Sequence, residues 1–282
     1  MNVATIRLIS RVLFMPADAT VLLPQKLPEG KCPVLWLLHG ACGDHRSYLY
    51  SADLDRIVRE HSAIIVMPSA LNSDYGNYQQ FGTGYDFASY FFDELMPFVY
   101  ATFPASDAPE QNYIEGASMG GFGAALLGLM HPERFAAIGM LGASLRESAF
   151  LLPYENSTSE EFRRAALESP KKFPTEYGSP DAGIKLKEVN VITKYPTIRA
   201  FLDSPDCMWR RFPEVVRRGV LPEFYVACGT EDLFYPATER FMELADSLGV
   251  RDRVHFVIEE GVGHDPAFFD REIVAFAVYF GI

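Results

Sequence analysis

Short runs of consecutive apolar residues recur along the chain, and most are followed by a segment with helical spacing. Such runs have the length and character of strands that are buried on both faces of a sheet. The run "PVLWLL" at 33–38 is one example, and it stops at the polar loop "HGACGDH". We predict strands of this kind at residues 33–38, 63–67, 112–115, 136–141, 222–228 and 254–258.

The intervening segments repeat apolar residues every three or four positions, as amphipathic helices do. We predict helices at residues 52–61, 88–102, 119–130, 160–167, 236–249 and 268–280. In the second of these, Asp93 and Glu94 are predicted to face outward. Because strands and helices alternate, the pattern predicts an α/β fold with a mostly parallel central sheet and helices on both faces.

Two segments depart from this alternation. At the N-terminus, residues 3–14 and 20–23 are predicted to be β-structure, with "MPADA" as the turn between them. Residues 145–219 mix prolines, charges and aromatic residues, and the buried-strand pattern resumes at 222–228. We therefore predict one domain over 1–282, with a cap or lid inserted at about 145–219.

Composition and charge exclude several classes of partner. The 282-residue chain has a formal net charge of −12, which disfavours binding to nucleic acid or to an anionic membrane surface. No apolar run approaches the roughly 20 residues of a membrane span, and no signal-peptide pattern stands out. These features predict a cytoplasmic protein. Four cysteines without CxxC spacing predict reduced, buried thiols rather than a disulfide framework or a zinc site, namely Cys32, Cys42, Cys207 and Cys228.

The segment "YIEGASMGGFGAALLG" places several glycines around a single serine, Ser118. Glycine destabilises regular structure, so this density indicates backbone conformations or close approaches that other residues do not allow. The pattern Gly116-x-Ser118-x-Gly120 lies between a predicted strand and a predicted helix. It is typical of a sharp strand-to-helix turn that exposes a serine hydroxyl as a nucleophile.

A serine nucleophile needs a base, and the base needs a carboxylate to orient it. His264 follows the last predicted strand, which is where the serine–acid–histidine chain order puts the base. His45, in a loop near the predicted site, is the one rival histidine. Asp232 in "CGTEDLFYP" is the favoured acid, with Glu231 as the alternative. Asp232 could instead be only a helix N-cap.

Two backbone N–H groups are needed to stabilise the oxyanion of the tetrahedral intermediate. Met119 directly follows the nucleophile and supplies the first. The second is expected from the loop "HGACG", with Ala41 favoured and Cys42 second. His39 in the same loop could alternatively be a metal ligand, but no carboxylate or histidine has ligand spacing with it.

The long loop "SALNSDYGNYQQFGTGYDF" is rich in polar and aromatic residues. Loops of this length often carry function. Its aromatic side chains could stack on the substrate, and we take Tyr85 and Phe81 as the candidate substrate-binding residues. The alternative, which we favour, is that these rings pack on the lid.

With these residues assigned, the chain resembles the esterase D branch of the α/β-hydrolases, which includes S-formylglutathione hydrolases and tributyrin-type carboxylesterases. The resemblance covers nearly the whole chain. It rests on "VLWLLHGACGDHRSY", "IIVMP", "YGNYQQFGTGYDF", "FFDELMPFV", "IEGASMGGFGA", "CGTEDLFY" and "GVGHDPAFFDREI". It implies an α/β-hydrolase fold and a cytosolic serine esterase for short-chain acyl esters of small molecules, with no cofactor.

The resemblance also carries roles to individual residues. Ser118, Asp232 and His264 would form the catalytic triad, with oxyanion donors at Met119 and Ala41. Pro266 stands where tributyrin-type relatives tend to have an aromatic residue. This implies that the part of the site that binds the alcohol portion of the ester differs from theirs.

Alternatives from other classes remain open at this point. The same machinery could transfer the acyl group to a sugar or lipid hydroxyl instead of water. A non-catalytic binding protein on a hydrolase scaffold is disfavoured, because every triad position is filled. A peptidase is less supported, because no residue marks a site for a peptide terminus. The aromatic-rich segment at 145–219 could also form the interface of a homo-oligomer.

Overall fold

The computed structural model describes residues 1–78, 85–146, 148–168 and 194–282. Eight strands form one sheet within these residues. In chain order they are β1 (Asn2–Ser10), β2 (Met15–Leu23), β3 (Val34–Leu38), β4 (Ile64–Pro68), β5 (Asn112–Ala117), β6 (Ala137–Leu141), β7 (Glu223–Gly229) and β8 (Val254–Glu259).

The strand order across the sheet is β1-β2-β4-β3-β5-β6-β7-β8. The first two strands form an antiparallel hairpin, and β2 also pairs antiparallel with β4. All other pairs are parallel. The carboxyl ends of six strands therefore meet at one edge of the sheet, where ligands bind in α/β folds. This confirms the predicted mostly parallel α/β architecture.

The helices within the described residues are α1 (Leu54–His61), α2 (Phe87–Ser89 continued by Tyr90–Leu95 and Met96–Thr102), α3 (Met119–Met130), α4 (Ser148–Leu151), α5 (Ser159–Glu168), α6 (Ile198–Leu202), α7 (Met208–Arg217), α8 (Tyr235–Ser247) and α9 (Pro266–Phe280). Six of these nine helices lie close to predicted positions, and the other three (α4, α6 and α7) fall in the predicted insertion, where no helix was predicted for them. The middle part of α2, Tyr90–Leu95, is π-helical.

Strand β3 shows how the sheet is buried on both faces. Val34, Trp36 and Leu38 belong to a core cluster that includes residues of α2, α3, α7 and α8. Leu35 and Leu37 point the other way, into a cluster with residues of α1 and α9. Successive side chains of a strand alternate between faces, so a continuous apolar run requires cover on both.

The predicted turn "MPADA" at the N-terminus is wrong. These residues are the first part of β2, and the turn lies at 11–14. Ala17 and Ala19 are small and buried at alternate positions, while Asp18 between them pairs with Arg7 of β1. The segment is thus a strand with one apolar face, although it contains residue types that are common in turns.

The outward position predicted for Glu94 of α2 is also wrong. Its carboxylate accepts hydrogen bonds from the Ser10 hydroxyl at 2.5 Å and from the backbone N–H of Arg11 at 2.9 Å. Glu94 therefore caps the turn between β1 and β2, whereas Asp93 is exposed as expected.

The predicted insertion contributes helices α4 to α7 in its described parts. Several of their apolar residues form a third cluster with Phe122 and Leu126 of α3. The segment is therefore anchored on the helix that follows Ser118. Whether it acts as a cap or lid stays a prediction. None of the helices within the described residues combines the length and apolar character needed to span a bilayer.

Candidate active site

Ser118 occupies the sharp turn between β5 and α3. Its backbone has φ 57° and ψ −118°, a conformation that is unfavourable for a residue with a side chain. The Ser118 N–H donates a hydrogen bond of 2.8 Å to the carbonyl oxygen of Leu141 at the end of β6. This contact with the neighbouring strand helps to hold the strained conformation.

The glycines around Ser118 allow α3 to pack closely on β3. A Cβ atom at Gly120 would lie 2.1 Å from the carbonyl oxygen of Leu38, and one at Gly116 would lie 2.5 Å from the same oxygen. Both distances are shorter than any non-bonded contact. The sequence pattern therefore has a direct steric cause: the turn fits against β3 only if these positions lack a side chain.

The side chains of His264 and Asp232 meet although they are 32 positions apart in the chain. The Nδ1 atom of His264 lies 2.8 Å from Oδ2 of Asp232. The other oxygen of Asp232 accepts a hydrogen bond of 2.8 Å from the backbone N–H of Phe234. The Asp232 carboxylate is fully buried, whereas Glu231 is exposed.

Aromatic side chains fix the orientation of the His264 ring. Phe234 and Phe269 contact it edge-on, with ring centroids 5.3 and 4.9 Å away. Since Nδ1 faces Asp232, Nε2 is the ring atom that can exchange a proton with a substrate or nucleophile. About a quarter of the side chain is exposed, at 27%.

Ser118 and His264 line the same cavity, which has a volume of about 570 Å³. Gly40, Ala41 and Cys42 of the loop after β3 line it as well. The hydroxyl of Ser118 makes no hydrogen bond to any residue that the structure describes. Catalytic hydrogen bonds are often long in unliganded sites and shorten when substrate binds.

Of the two candidate oxyanion donors, Ala41 lines this cavity and Met119 directly follows Ser118 in the chain. Met119 is the first residue of α3, and the N–H groups of a first helical turn have no partner within the helix. Gly40 is close to the serine, because a Cβ atom there would lie 3.6 Å from Cβ of Ser118. The N–H of Cys42 donates to Oδ1 of Asn72 at 2.8 Å, which leaves Ala41 as the better donor in this loop.

His39 is buried directly beneath the loop that carries Ala41. Its Nε2 atom lies 2.9 Å from the N–H of Ala70, and its Nδ1 atom lies 2.7 Å from the carbonyl oxygen of Gly40. Because the Ala70 N–H must donate to Nε2, the proton of the neutral ring is on Nδ1 and is donated to Gly40. Burial lowers the pKa of His39, which favours this neutral form. The sequence did not predict that His39 would link the loop after β3 to Ala70; it indicated His39 as a residue of the "HGACG" loop.

A buried ion pair connects two other loops at the same edge. The NH2 nitrogen of Arg146, after β6, donates to both carboxylate oxygens of Asp74, after β4, at 3.1 and 3.0 Å. The NH1 nitrogen donates to the hydroxyl of Ser144 at 2.7 Å, and the guanidinium lies over the ring of Phe122. No sequence pattern indicated this pair.

The remaining candidates lie elsewhere or outside the described residues. Nδ1 of His45 lies 2.7 Å from the hydroxyl of Thr20, and His45 does not line the cavity. Tyr85 packs, partly buried, against the main core, and Phe81 lies outside the described residues. The substrate-binding roles of Tyr85 and Phe81 stay predictions. Three of the four cysteines are buried as predicted, but Cys42 is exposed because it lines the open cavity.

Comparison with known proteins places the chain among esterases. A protein-family model described as "Putative esterase" matches residues 11–223. An acetyl esterase of Caldicellulosiruptor saccharolyticus is 24% identical over 97% of this chain and 96% of its own length. Two solved Staphylococcus aureus structures share the fold, each covering 100% of this chain.

The first is the fluorophosphonate-binding serine hydrolase F with substrate bound, which has a TM-score of 0.75 and 20% identity and is covered over 98% of its length. The second is the S-formylglutathione hydrolase FrmB, with a TM-score of 0.74 and 19% identity over its whole length. The family match ends at residue 223, before both Asp232 and His264.

Proposed function

Because the chain belongs to the putative esterase family, we propose that it is a serine carboxylesterase that hydrolyses short-chain acyl esters through an acyl-enzyme intermediate. One observation carries the proposal: the imidazole of His264 is hydrogen-bonded to a fully buried carboxylate and lines the same cavity as Ser118. A strained, partly buried serine that lines the same cavity as an oriented imidazole is the arrangement that nucleophilic acyl transfer requires.

In the first half of the reaction, Nε2 of His264 takes the proton of Ser118 while Oγ attacks the ester carbonyl carbon. The carbonyl π electrons move to oxygen, and the N–H groups of Met119 and Ala41 stabilise the resulting oxyanion. Asp232 holds the Nδ1 proton and stabilises the imidazolium ion that forms.

The tetrahedral intermediate then collapses. His264 gives its proton to the leaving alcohol oxygen as the bond to the acyl carbon breaks, and the acyl group stays on Ser118. A water molecule enters, loses its proton to His264 and attacks the acyl carbon. Breakdown of the second intermediate returns the proton to Ser118 and releases the acid. Nucleophile, base and oxyanion donors all come from the chain itself.

A short acyl group is supported by the relative named acetyl esterase, which matches the chain along nearly its entire length. We therefore expect kcat/KM to be highest for acetyl to butyryl esters in a series of p-nitrophenyl esters. A maximum at octanoyl would contradict this part of the proposal.

Pre-steady-state hydrolysis of p-nitrophenyl acetate tests the acyl-enzyme. We expect a burst of p-nitrophenol that approaches one equivalent per protein chain, followed by slower turnover. Ser118→Ala should abolish the burst and lower kcat by about 10⁶-fold, as loss of a triad serine does elsewhere. Ser247→Ala, on the exposed end of α8, is the matched control and should retain both. Turnover by Ser118→Ala within tenfold of wild type would exclude Ser118 as the nucleophile.

A further inference from the structure

The cavity that contains Ser118 and His264 extends along one particular wall. Besides the oxyanion loop it is lined by Ser47 and Ser51 from the segment after β3, and by Phe269 and Asp270 from the first turns of α9. Helix α9 begins two residues after His264. In the proposed reaction His264 protonates the departing oxygen, so the leaving group must lie on the His264 side of Ser118. The wall formed by α9 is therefore next to the leaving group.

Asp270 is the charged side chain on this wall. One of its carboxylate oxygens, Oδ1, accepts a hydrogen bond of 2.9 Å from the hydroxyl of Ser51. The other oxygen accepts none from any residue within the described part of the chain. The side chain is partly buried, and burial raises the pKa of its carboxyl group. Asp270 thus lines the cavity with one carboxylate oxygen that has no hydrogen-bond donor among the described residues.

A second cavity of about 490 Å³ lies next to the first, and the two share the lining residues Ser51 and Asp270. Its other polar lining residues are Asp53, Arg56 and Arg271. Both arginines are already paired, Arg56 with Glu60 and Arg271 with Glu259. Together the two neighbouring cavities offer room for a leaving group larger than a simple alcohol, and their polar lining residues offer hydrogen bonds to it.

We propose that Asp270, held in place by Ser51, is a specificity residue that accepts a hydrogen bond from a free hydroxyl of the leaving alcohol. The preferred substrates are then acyl esters of polyhydroxylated alcohols, that is, of sugars or other polyols. An apolar alcohol would exclude water from the carboxylate without replacing the hydrogen bonds that water makes to it, which costs free energy. A hydroxyl group of a polyol would replace those hydrogen bonds. This inference rests on the proposed esterase function and names the substrate class of the same site.

The experiment compares two acetates that differ chiefly in hydroxyl groups. A monoacetylated methyl β-xylopyranoside and cyclohexyl acetate both carry the acetyl group on a secondary oxygen of a six-membered ring. We expect wild type to have the higher kcat/KM for the xyloside, mainly through a lower KM. Asp270→Ala should lower the xyloside-to-cyclohexyl ratio of kcat/KM by at least about tenfold, as expected for losing a hydrogen bond to a charged group.

Two further variants test whether Asp270 binds the substrate or only links Ser51 to helix α9. Ser51→Ala retains the carboxylate and should lower the ratio less than Asp270→Ala does. Asp252→Asn replaces an exposed aspartate in the turn Arg251–Arg253 that lines neither cavity, and should leave the ratio as in wild type. If both Ser51→Ala and Asp270→Ala slow the two acetates equally, the pair is only structural and the proposal is wrong.

Two other outcomes would also overturn the proposal. An unchanged ratio in Asp270→Ala would mean that the carboxylate does not contact the leaving group. Preference for acetylcholine over both neutral acetates, lost in Asp270→Ala, would assign the wall to cationic alcohols. If wild type hydrolyses p-nitrophenyl acetate, each of these results bears on the substrate class alone. If it hydrolyses no ester, the proposed function fails and this inference fails with it.

Discussion

At the scale of single residues, the contact between Asp232 and His264 determines which nitrogen of the imidazole can act as a base. A carboxylate that accepts the Nδ1 proton leaves the lone pair on Nε2, which is the atom available to the cavity. The second oxygen of Asp232 is fixed by the N–H of Phe234. The carboxylate is therefore anchored at both oxygens, and its function in the proposed mechanism is orientation.

Asp232→Asn should lower kcat for p-nitrophenyl acetate by about 10³- to 10⁴-fold with little change in KM, because an amide N–H next to Nδ1 favours the wrong tautomer. Circular dichroism should show a folded protein, since the side chain keeps its size and can still accept from Phe234. Glu231→Gln, at the exposed neighbouring position, is the control and should keep wild-type kcat. Equal losses in the two variants would contradict the choice of acid.

The residues of the candidate site differed in how far the sequence could identify them. Ser118, His264 and Asp232 could be predicted because each follows a strand, and parallel strands end at one edge. The contacts of His39, of the Asp74–Arg146 pair and of Asp270 could not. Arg146 meets Asp74 from 72 positions away, and Ser51 meets Asp270 from 219 positions away. Such contacts depend on side-chain direction in the folded protein, which no local pattern encodes.

At the scale of secondary-structure elements, the turn between β5 and α3 is tightly constrained by its neighbours. Strand β3 packs against it so closely that the carbonyl oxygen of Leu38 would overlap a side chain at Gly116 or Gly120. Ser118 itself adopts a positive φ. The close packing explains why the glycine pattern was a strong predictor of this element, and helix α3 begins and ends as predicted.

Gly120→Ala should destabilise the protein by more than about 3 kcal/mol, because the new methyl group must displace backbone atoms of β3 rather than a flexible side chain. Chemical denaturation gives the free energy of unfolding. Gly263→Ala is the control, since the nearest heavy atom to its added Cβ is 3.8 Å away, and it should unfold close to wild type. Wild-type stability of Gly120→Ala would contradict the packing described for the turn.

A second constrained contact joins β5 to helix α9. Glu115, directly before Gly116, is fully buried, and neither carboxylate oxygen has a hydrogen-bond partner within the described residues. Burial, with Glu272 of α9 nearby, raises the pKa of Glu115 well above its usual value. The folded protein therefore holds the proton of this carboxyl group to higher pH than the unfolded chain, which ionises it above about pH 4.3.

The sign of the effect on stability follows from this difference. Above the unfolded-state pKa the native state binds more protons than the unfolded state, so stability falls as pH rises. Glu115→Gln removes the ionisable group and should raise Tm relative to wild type at pH 8, with the difference vanishing near pH 4. Glu239→Gln, exposed on α8, should show no such trend. A Tm difference that is constant with pH would contradict a buried neutral carboxyl group.

Elements without strong periodicity were predicted less well than those around the site. The start of β2 resembles a turn because Pro16 and Asp18 are common in turns, whereas the structure buries the alternate residues Ala17 and Ala19 there. Tertiary packing overrides local propensity in such strands. The outward position of Glu94 failed for a related reason, since its partners lie in a turn more than 80 positions earlier.

At the scale of the whole molecule, strand order brings the proposed catalytic residues together. Strand β5 leads to Ser118, β7 leads to Asp232 and β8 leads to His264, and all three leave the sheet at the same edge. The family match stops before the last two of these residues. The assignment of acid and base therefore depends on the complete sheet and not on the family motif alone.

Labelling with a fluorophosphonate probe, followed by peptide mass spectrometry, tests the central claim most directly. The account predicts stoichiometric modification of Ser118 in wild type, no modification in Ser118→Ala, and strongly slowed modification in His264→Ala because the nucleophile loses its base. Loss of esterase activity should parallel labelling. Modification of another residue, or esterase activity that persists in fully labelled protein, would contradict the account.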